Sequence, residues 1–135
     1  LSLEQAATLN YPELLQVSEE EASFFQAMHQ LPWDKKVQVD EHFKLTKVQR
    51  QFQEIDYKNQ FDIVYFDAFA PNAQPELWEH DLLEKMYFAL RPNGIFVTYC
   101  AKGSVKRTLK RLGFAIEALP GPPGKREMTR ALKII

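Results

Sequence analysis

Apolar positions along this chain recur first at helical spacing, then at strand spacing, and each change of period marks an element. Ser2-Leu3-Glu4 opens a short helix with Leu3, Ala6, Ala7 and Leu9 available for burial. Asn10-Tyr11-Pro12 ends it, because proline disfavours helix in the residue before it. Ser18 with Glu21 three residues on is a capping-box pattern, and Glu19 to Glu21 suit the positive start of a helix. Ala22, Phe25 (or Phe24), Met28 and Leu31 then recur at helical spacing up to Pro32 and are expected in a core. Residues 36–49 predict a hairpin: Val37 and Val39 alternate, Asp40-Glu41-His42 turns, and Phe43, Leu45 and Val48 return.

A different pattern begins at Phe61-Asp62-Ile63-Val64-Tyr65-Phe66, a mostly apolar run that predicts a central strand covered on both faces. Ala68 to Pro75 is a loop, and from Glu76 the residues Trp78, Leu82, Met86 and Leu90, joined by Leu83 and Tyr87, form a helical stripe. Arg91-Pro92-Asn93-Gly94 predicts a turn, and Ile95 to Cys100 a second buried strand. Gly103 to Leu112 predicts a helix with Val105, Leu109 and Leu112 inward and Lys106, Arg107, Lys110 and Arg111 outward. Gly113 caps it, Phe114 to Leu119 is a strand, Pro120 to Gly124 a loop, and Met128 to Ile135 a last alternating strand. Strand–helix–strand–helix–strand–loop–strand is the C-terminal portion of a doubly wound α/β sheet. With 135 residues and 45% hydrophobic composition, the whole of 1–135 is expected to form a single domain.

Charge changes this picture at the C-terminal end. Residues 1–99 carry 8 Lys/Arg against 16 Asp/Glu, whereas residues 100–135 carry 9 against 2. A basic tail within a folded domain is a candidate polyanion-facing surface, although a basic helix face can also be merely solvated. The single cysteine, Cys100, excludes an internal disulfide framework, and reducing, cytoplasmic surroundings are the default expectation. No apolar run approaches the ~18 residues of a membrane span, so no membrane partner is expected. His29, His42 and His80 lack metal-ligand spacing, and no metal site is expected.

Ligands of open α/β sheets bind beyond the carboxyl ends of the strands. Asp67-Ala68-Phe69-Ala70-Pro71 follows the first central strand and presents an acid, a small residue, an aromatic and a proline. Asp in such a place also caps turns. After the next strand, Cys100-Ala101-Lys102-Gly103-Ser104 opens a helix whose free N–H groups suit an anion, which is a weak signal. The Pro120-to-Met128 loop ends in Lys125-Arg126-Glu127-Met128 beside the basic helix and suits phosphate contact. Neither a phosphate-loop nor a GxGxxG motif occurs among the five glycines.

Four segments taken together carry a resemblance: Phe61 through Asn72 with its DAFAP corner, Pro75-Glu76-Leu77-Trp78, Leu90-Arg91-Pro92-Asn93-Gly94, and Gly124-Lys125-Arg126-Glu127-Met128. They resemble the methyltransferase domain of the tRNA 5-methylaminomethyl-2-thiouridine biosynthesis bifunctional family and its stand-alone relatives. The opening Leu1-Ser2-Leu3-Glu4 is similar to the family's segment just past its second strand, so the likeness covers nearly the whole chain but only the later part of the domain. It implies a Rossmann-like class I methyltransferase sheet with a short hairpin insertion, S-adenosylmethionine as methyl donor, and tRNA as substrate. The reaction implied is N-methylation of the aminomethyl group on the wobble uridine, with a FAD-dependent oxidase domain, fused or separate, as an open partner.

By position, the resemblance gives Asp67 the catalytic place beside methyl group and amine, and has Phe69 and Pro71 shape the substrate pocket. It places Gln51, Phe52, Asp67 and Phe69 at the cofactor and Lys125 and Arg126 at the RNA, where the basic helix adds Lys102, Lys106 and Arg107. Relatives carry an acid where this chain reads Arg50-Gln51-Phe52, which leaves Gln51 to hydrogen-bond adenine. The family's glycine-rich cofactor loop is absent from these residues and should lie before Leu1, so the 135 residues alone are expected to be inactive. Two other readings stand beside this one: a phosphoacceptor receiver domain, with Lys102 as its lysine but no placed acidic pair, and a non-catalytic RNA-binding module using the basic tail.

Overall fold

A computed structural model describes residues 1–135, arranged as two units, Leu1–Arg50 and Gln51–Ile135. The first unit holds α1 (Leu3–Ala7), α2 (Tyr11–Leu14), α3 (Glu19–Gln30), β1 (Lys36–Gln38) and β2 (Lys44–Thr46). Both capping boxes form: the Ser2 and Ser18 hydroxyls accept from the Gln5 and Glu21 backbone N–H groups, and those side chains return to the cap N–H. The expectation that Asn10-Tyr11-Pro12 ends α1 is corrected: α1 stops at Ala7 with Thr8 as its cap, and Pro12 sits in the first turn of α2, where its missing N–H has no helical partner to lose. The hairpin pairs Val37 with Leu45, and the Asp40 carboxylate closes its turn by accepting from His42 and Phe43 N–H. The expected α3 core is not a core: Ala22, Phe24, Phe25, Met28 and Leu31 are only half-buried, and Ala6 is the buried apolar residue of this unit. Short elements of three to twelve residues enclose too little volume to bury a side chain fully.

The second unit contains β3 (Phe61–Tyr65), α4 (His80–Ala89), β4 (Leu90–Thr98), α5 (Gly103–Arg111), β5 (Phe114–Pro120) and β6 (Glu127–Lys133). Short 3-10 helices stand at Phe52–Glu54 and Pro75–Trp78. The sheet order is β3-β4-β6-β5, with β3 parallel to β4 and β6 antiparallel to both its neighbours. This is the expected Rossmann-like α/β arrangement, closed by an antiparallel hairpin slotted between β4 and β5.

Alternation places Val64 and Phe66, Phe96, Ala131 and Phe114 in the core with Leu82, Leu83 and Met86 of α4 and Val105 and Leu109 of α5. Phe96 is fully buried between Phe66 (ring centroids 5.3 Å) and Phe114 (6.0 Å). Within residues 1–135 the expected cover on both faces of β3 is seen on one face alone: α4 and α5 lie on the same side, because β3 to β4 and β4 to β5 step in the same direction, and Ile63 and Tyr65 on the other are 45% and 78% exposed.

A second correction concerns Arg91-Pro92-Asn93-Gly94. The turn is a bulge within β4: Phe61 pairs with Leu90 and Ile63 already with Ile95, while Asn93 takes φ +65°. A Cβ on Gly94 would stand 2.8 Å from the Arg91 carbonyl oxygen, which only glycine avoids. The bulge is tied down by Lys133, a buried ammonium donating to Leu90 O (2.6 Å), Tyr87 O (3.0 Å) and Asn59 Oδ1 (3.2 Å). Burial pushes its pKa below the ordinary lysine value, and no carboxylate faces it. Lys133→Met strands the buried Leu90 carbonyl without this donor and removes the ties to Tyr87 O and Asn59, and we expect urea unfolding to show a loss of about 1–3 kcal/mol.

Candidate active site

Strand direction gathers the site. Because β3 and β4 are parallel, their carboxyl ends emerge together, at Asp67 and at Tyr99-Cys100. Because β6 runs antiparallel to β4, its first residues and the preceding loop lie at that same end. A cleft of about 440 Å³ opens there, lined by Tyr99 to Lys102 and Lys125 to Glu127.

The corner after β3 alternates sharply in exposure. Phe66 and Ala68 are buried, whereas Asp67 and Phe69 point outward, Phe69 with 73% of its surface exposed. Two aromatic donors fix the backbone here: the Tyr99 hydroxyl donates to Ala68 O and the Trp78 indole N–H to Phe69 O, each at 2.8 Å. Their rings meet edge to face at 6.2 Å, and Trp78 also packs edge-on against Phe66. Phe52, in the first 3-10 helix, lays its ring 5.8 Å from that of Phe66 and so comes to the same strand end, with Gln51 beside it. Pro71, half-buried, continues the corner.

The cations divide into two groups. Lys102 donates to Asn72 Oδ1 (3.0 Å), tying the basic helix start to the acid loop. Lys106 pairs with Glu127 at 2.7 Å, and Lys125 stands 3.9 Å over the Tyr99 ring. Arg107, Lys110, Arg111 and Arg126 are exposed and make no ion pair. Of the remaining tail cations, Arg130 is paired with Glu117 and Lys133 is buried, so the basic surface is smaller than the sequence count.

The loop bearing Lys125 and Arg126 folds back on itself through Lys125 N–H to Pro122 O and Gly121 N–H to Arg126 O. A Cβ at Gly121 would stand 2.6 Å from the Lys125 carbonyl oxygen. Gly121→Ala must therefore shift the segment that carries both cations. The Glu127 carboxyl is held below its ordinary value of 4.5 by the hydrogen bond and charge of Lys106, with Arg126 assisting. A lowered folded value means that the tie is present at neutral pH and fades as pH falls through that value. We expect acid titration to loosen residues 121–127, read by amide exchange below about pH 4.5, and Glu127→Gln to remove that pH dependence.

The predicted site residues thus come to one end of the sheet: Gln51, Phe52, Asp67, Phe69 and Pro71 around the corner, and Lys102, Lys106, Lys125 and Arg126 around the cleft beside it. Arg107 lies outward on α5. No site role was read from the sequence for Tyr99, Trp78 or Asn72, although Asn72 and Trp78 stand in the segments that carry the resemblance. Trp78 fits the helical stripe, yet its indole N–H needs an acceptor when buried, and that need was the available signal.

The sequence model of a family described as S-adenosyl-L-methionine-dependent methyltransferases matches residues 14–134. Among solved structures, the chain is similar to MnmC2 from Aquifex aeolicus, with TM-score 0.67 and 25% identity over 85% of this chain and 38% of that one. It also shares its fold with a possible exported protein from Bordetella parapertussis, with TM-score 0.51 and 12% identity over 67% of this chain and 44% of that one. The chain therefore spans well under half the length of each of these proteins.

Proposed function

Because this chain belongs to the S-adenosyl-L-methionine-dependent methyltransferase family, we propose that it serves N-methylation of the aminomethyl group on a tRNA wobble uridine, in the cytoplasm. The observation that carries this reading is the shared end of the sheet, where an exposed carboxylate at Asp67 lies next to a cleft walled by Lys102, Lys125 and Arg126. The likeness to MnmC2 supports the same reading. No helix is long and apolar enough to cross a membrane. A FAD-dependent oxidase domain, fused or separate, belongs to this reading as a partner.

S-adenosylmethionine is the family's cofactor and supplies an electrophilic methyl group on a sulfonium. The residues at the end of β3 suit part of it: a partly exposed ring at Phe52, an exposed side chain at Gln51, and an exposed carboxylate and ring at Asp67 and Phe69. Aromatic faces accept adenine, and carboxylates and ring faces favour positive charge. Gln51, Phe52, Asp67 and Phe69 would hold the cofactor.

The acceptor amine must lose a proton to become nucleophilic. An alkylamine resembles lysine, with pKa about 10.4, so roughly one molecule in a thousand is neutral at pH 7. Asp67 accepts a hydrogen bond from the amine, orients its lone pair and stabilises the positive charge that grows on nitrogen. Phe69 and Pro71 wall the amine's pocket, and the fixed corner keeps the carboxylate in register. Phosphates engage the free cations Arg107 and Arg126 and the exposed Lys125.

In the full-length protein, Asp67→Ala should lower methyl transfer to tRNA by about 10²-fold or more while leaving the thermal unfolding midpoint in place. Near-normal turnover removes Asp67 from this role. Arg126→Ala should weaken tRNA binding and reduce the slope of log affinity against log salt by about one. An unchanged slope takes Arg126 out of the interface.

A further inference from the structure

Resting on the reading above, we infer that Tyr99 is a positioning residue for the transfer, acting through the backbone that carries Asp67 and Phe69. Its hydroxyl donates to the carbonyl of Ala68, the residue directly after the acid, at 2.8 Å. Trp78 holds the next carbonyl, that of Phe69, at the same distance from a different element. The 68–69 and 69–70 peptides are therefore held from two sides, while the Asp67 and Phe69 side chains stay exposed. A side chain standing on such a fixed backbone spends more of its time in one geometry, which is what transfer between aligned atoms requires.

The holder is itself anchored. The next residue, Cys100, donates its N–H to the Thr98 hydroxyl (3.2 Å) and receives the buried Thr129 hydroxyl on its carbonyl (2.8 Å). Thr98 is 2% and Thr129 0% exposed, so these ties fix the end of β4 to β6 within the core. Tyr99 thus reaches the corner from a rigid base, and its ring stands edge-on to Trp78. Burial, Cys100 and the negative charge of Asp67 all raise the phenol pKa above its ordinary value of 10.0, so the hydroxyl remains a donor throughout the neutral range. The other contact of the ring is Lys125, whose ammonium rests 3.9 Å over it. One side chain therefore touches both the acid corner and the loop assigned to RNA.

Tyr99→Phe keeps the ring, its edge contact with Trp78 and the seat of Lys125, and removes only the hydroxyl. In the full-length protein with S-adenosylmethionine and tRNA bearing the unmethylated aminomethyl group, kcat should fall about 10- to 100-fold. KM for tRNA should stay within about twofold, because the cations assigned to the phosphates are not altered. Trp78→Phe, which removes the other donor, should show the same split of kcat from KM. Backbone nitrogen-15 relaxation reads the corner without any substrate, and Tyr99→Phe should lower the order parameters at residues 68–70 while leaving the Phe96 strand unchanged. Wild-type kcat in Tyr99→Phe, or unchanged order parameters at 68–70, overturns the inference. A wild-type protein that leaves this tRNA unmethylated, with the order parameters still lowered in the variant, overturns the choice of substrate and Tyr99's part in that transfer, but not its hold on the corner.

Discussion

Burial of Phe96 is the interaction on which the second unit depends. Its ring lies between Phe66 of the first central strand's end and Phe114 of the strand beyond β6, and the small side chain of Ala131 opposite it lets the three rings share one layer. Leu83 from α4 and Val105 and Leu109 from α5 close over that layer, joined by Leu90 at the start of β4, each no more than 2% exposed. Losing such a ring costs both the transfer of its area from water and the cavity it leaves. A drift of β3 against β4 would unstack Phe66 from Phe96, and so the packing also sets the register that brings Asp67 and Tyr99 side by side.

From that layer outward the structure passes from apolar packing to directed hydrogen bonds and then to charge. Phe66 touches Trp78, Trp78 touches Tyr99, and Tyr99 carries Lys125. Trp78 and Tyr99 each contribute area on the inner side and a polar handle on the outer side, which is why these residues can bound the core and shape a loop. The acid corner is therefore an extension of the core's order, although its own side chains face water.

Charge is sorted by the same folding. Of the nine cations in residues 100–135, Lys133 is spent on the bulge of β4, Arg130 on Glu117 and Lys106 on Glu127. A cation already sharing a short hydrogen bond with a carboxylate has less to offer a phosphate. Arg107, Lys110, Arg111 and Arg126 keep their charge for solvent or a polyanion, and Lys125 keeps one side open above Tyr99.

Periodicity alone determined the order and type of elements in residues 61–135, the capping boxes of α1 and α3, and the acid at a strand end, because these follow from local spacing and cap chemistry. It did not determine α2, where proline's tolerance in a first turn competes with its breaking role, or the bulge that replaces a turn in β4. Nor could it show that α4 and α5 lie on the same side of the sheet, since handedness of successive crossovers is a property of topology rather than of any one segment. The site itself was half legible. Asp67, Phe69 and the cations stand out by residue type, whereas Tyr99 over Ala68, Lys102 on Asn72 and the pairing of Lys106 join residues 21 to 31 positions apart. Only the parallel and antiparallel pairing of three strands brings such residues within hydrogen-bonding distance, and that pairing is decided by the burial of one aromatic layer.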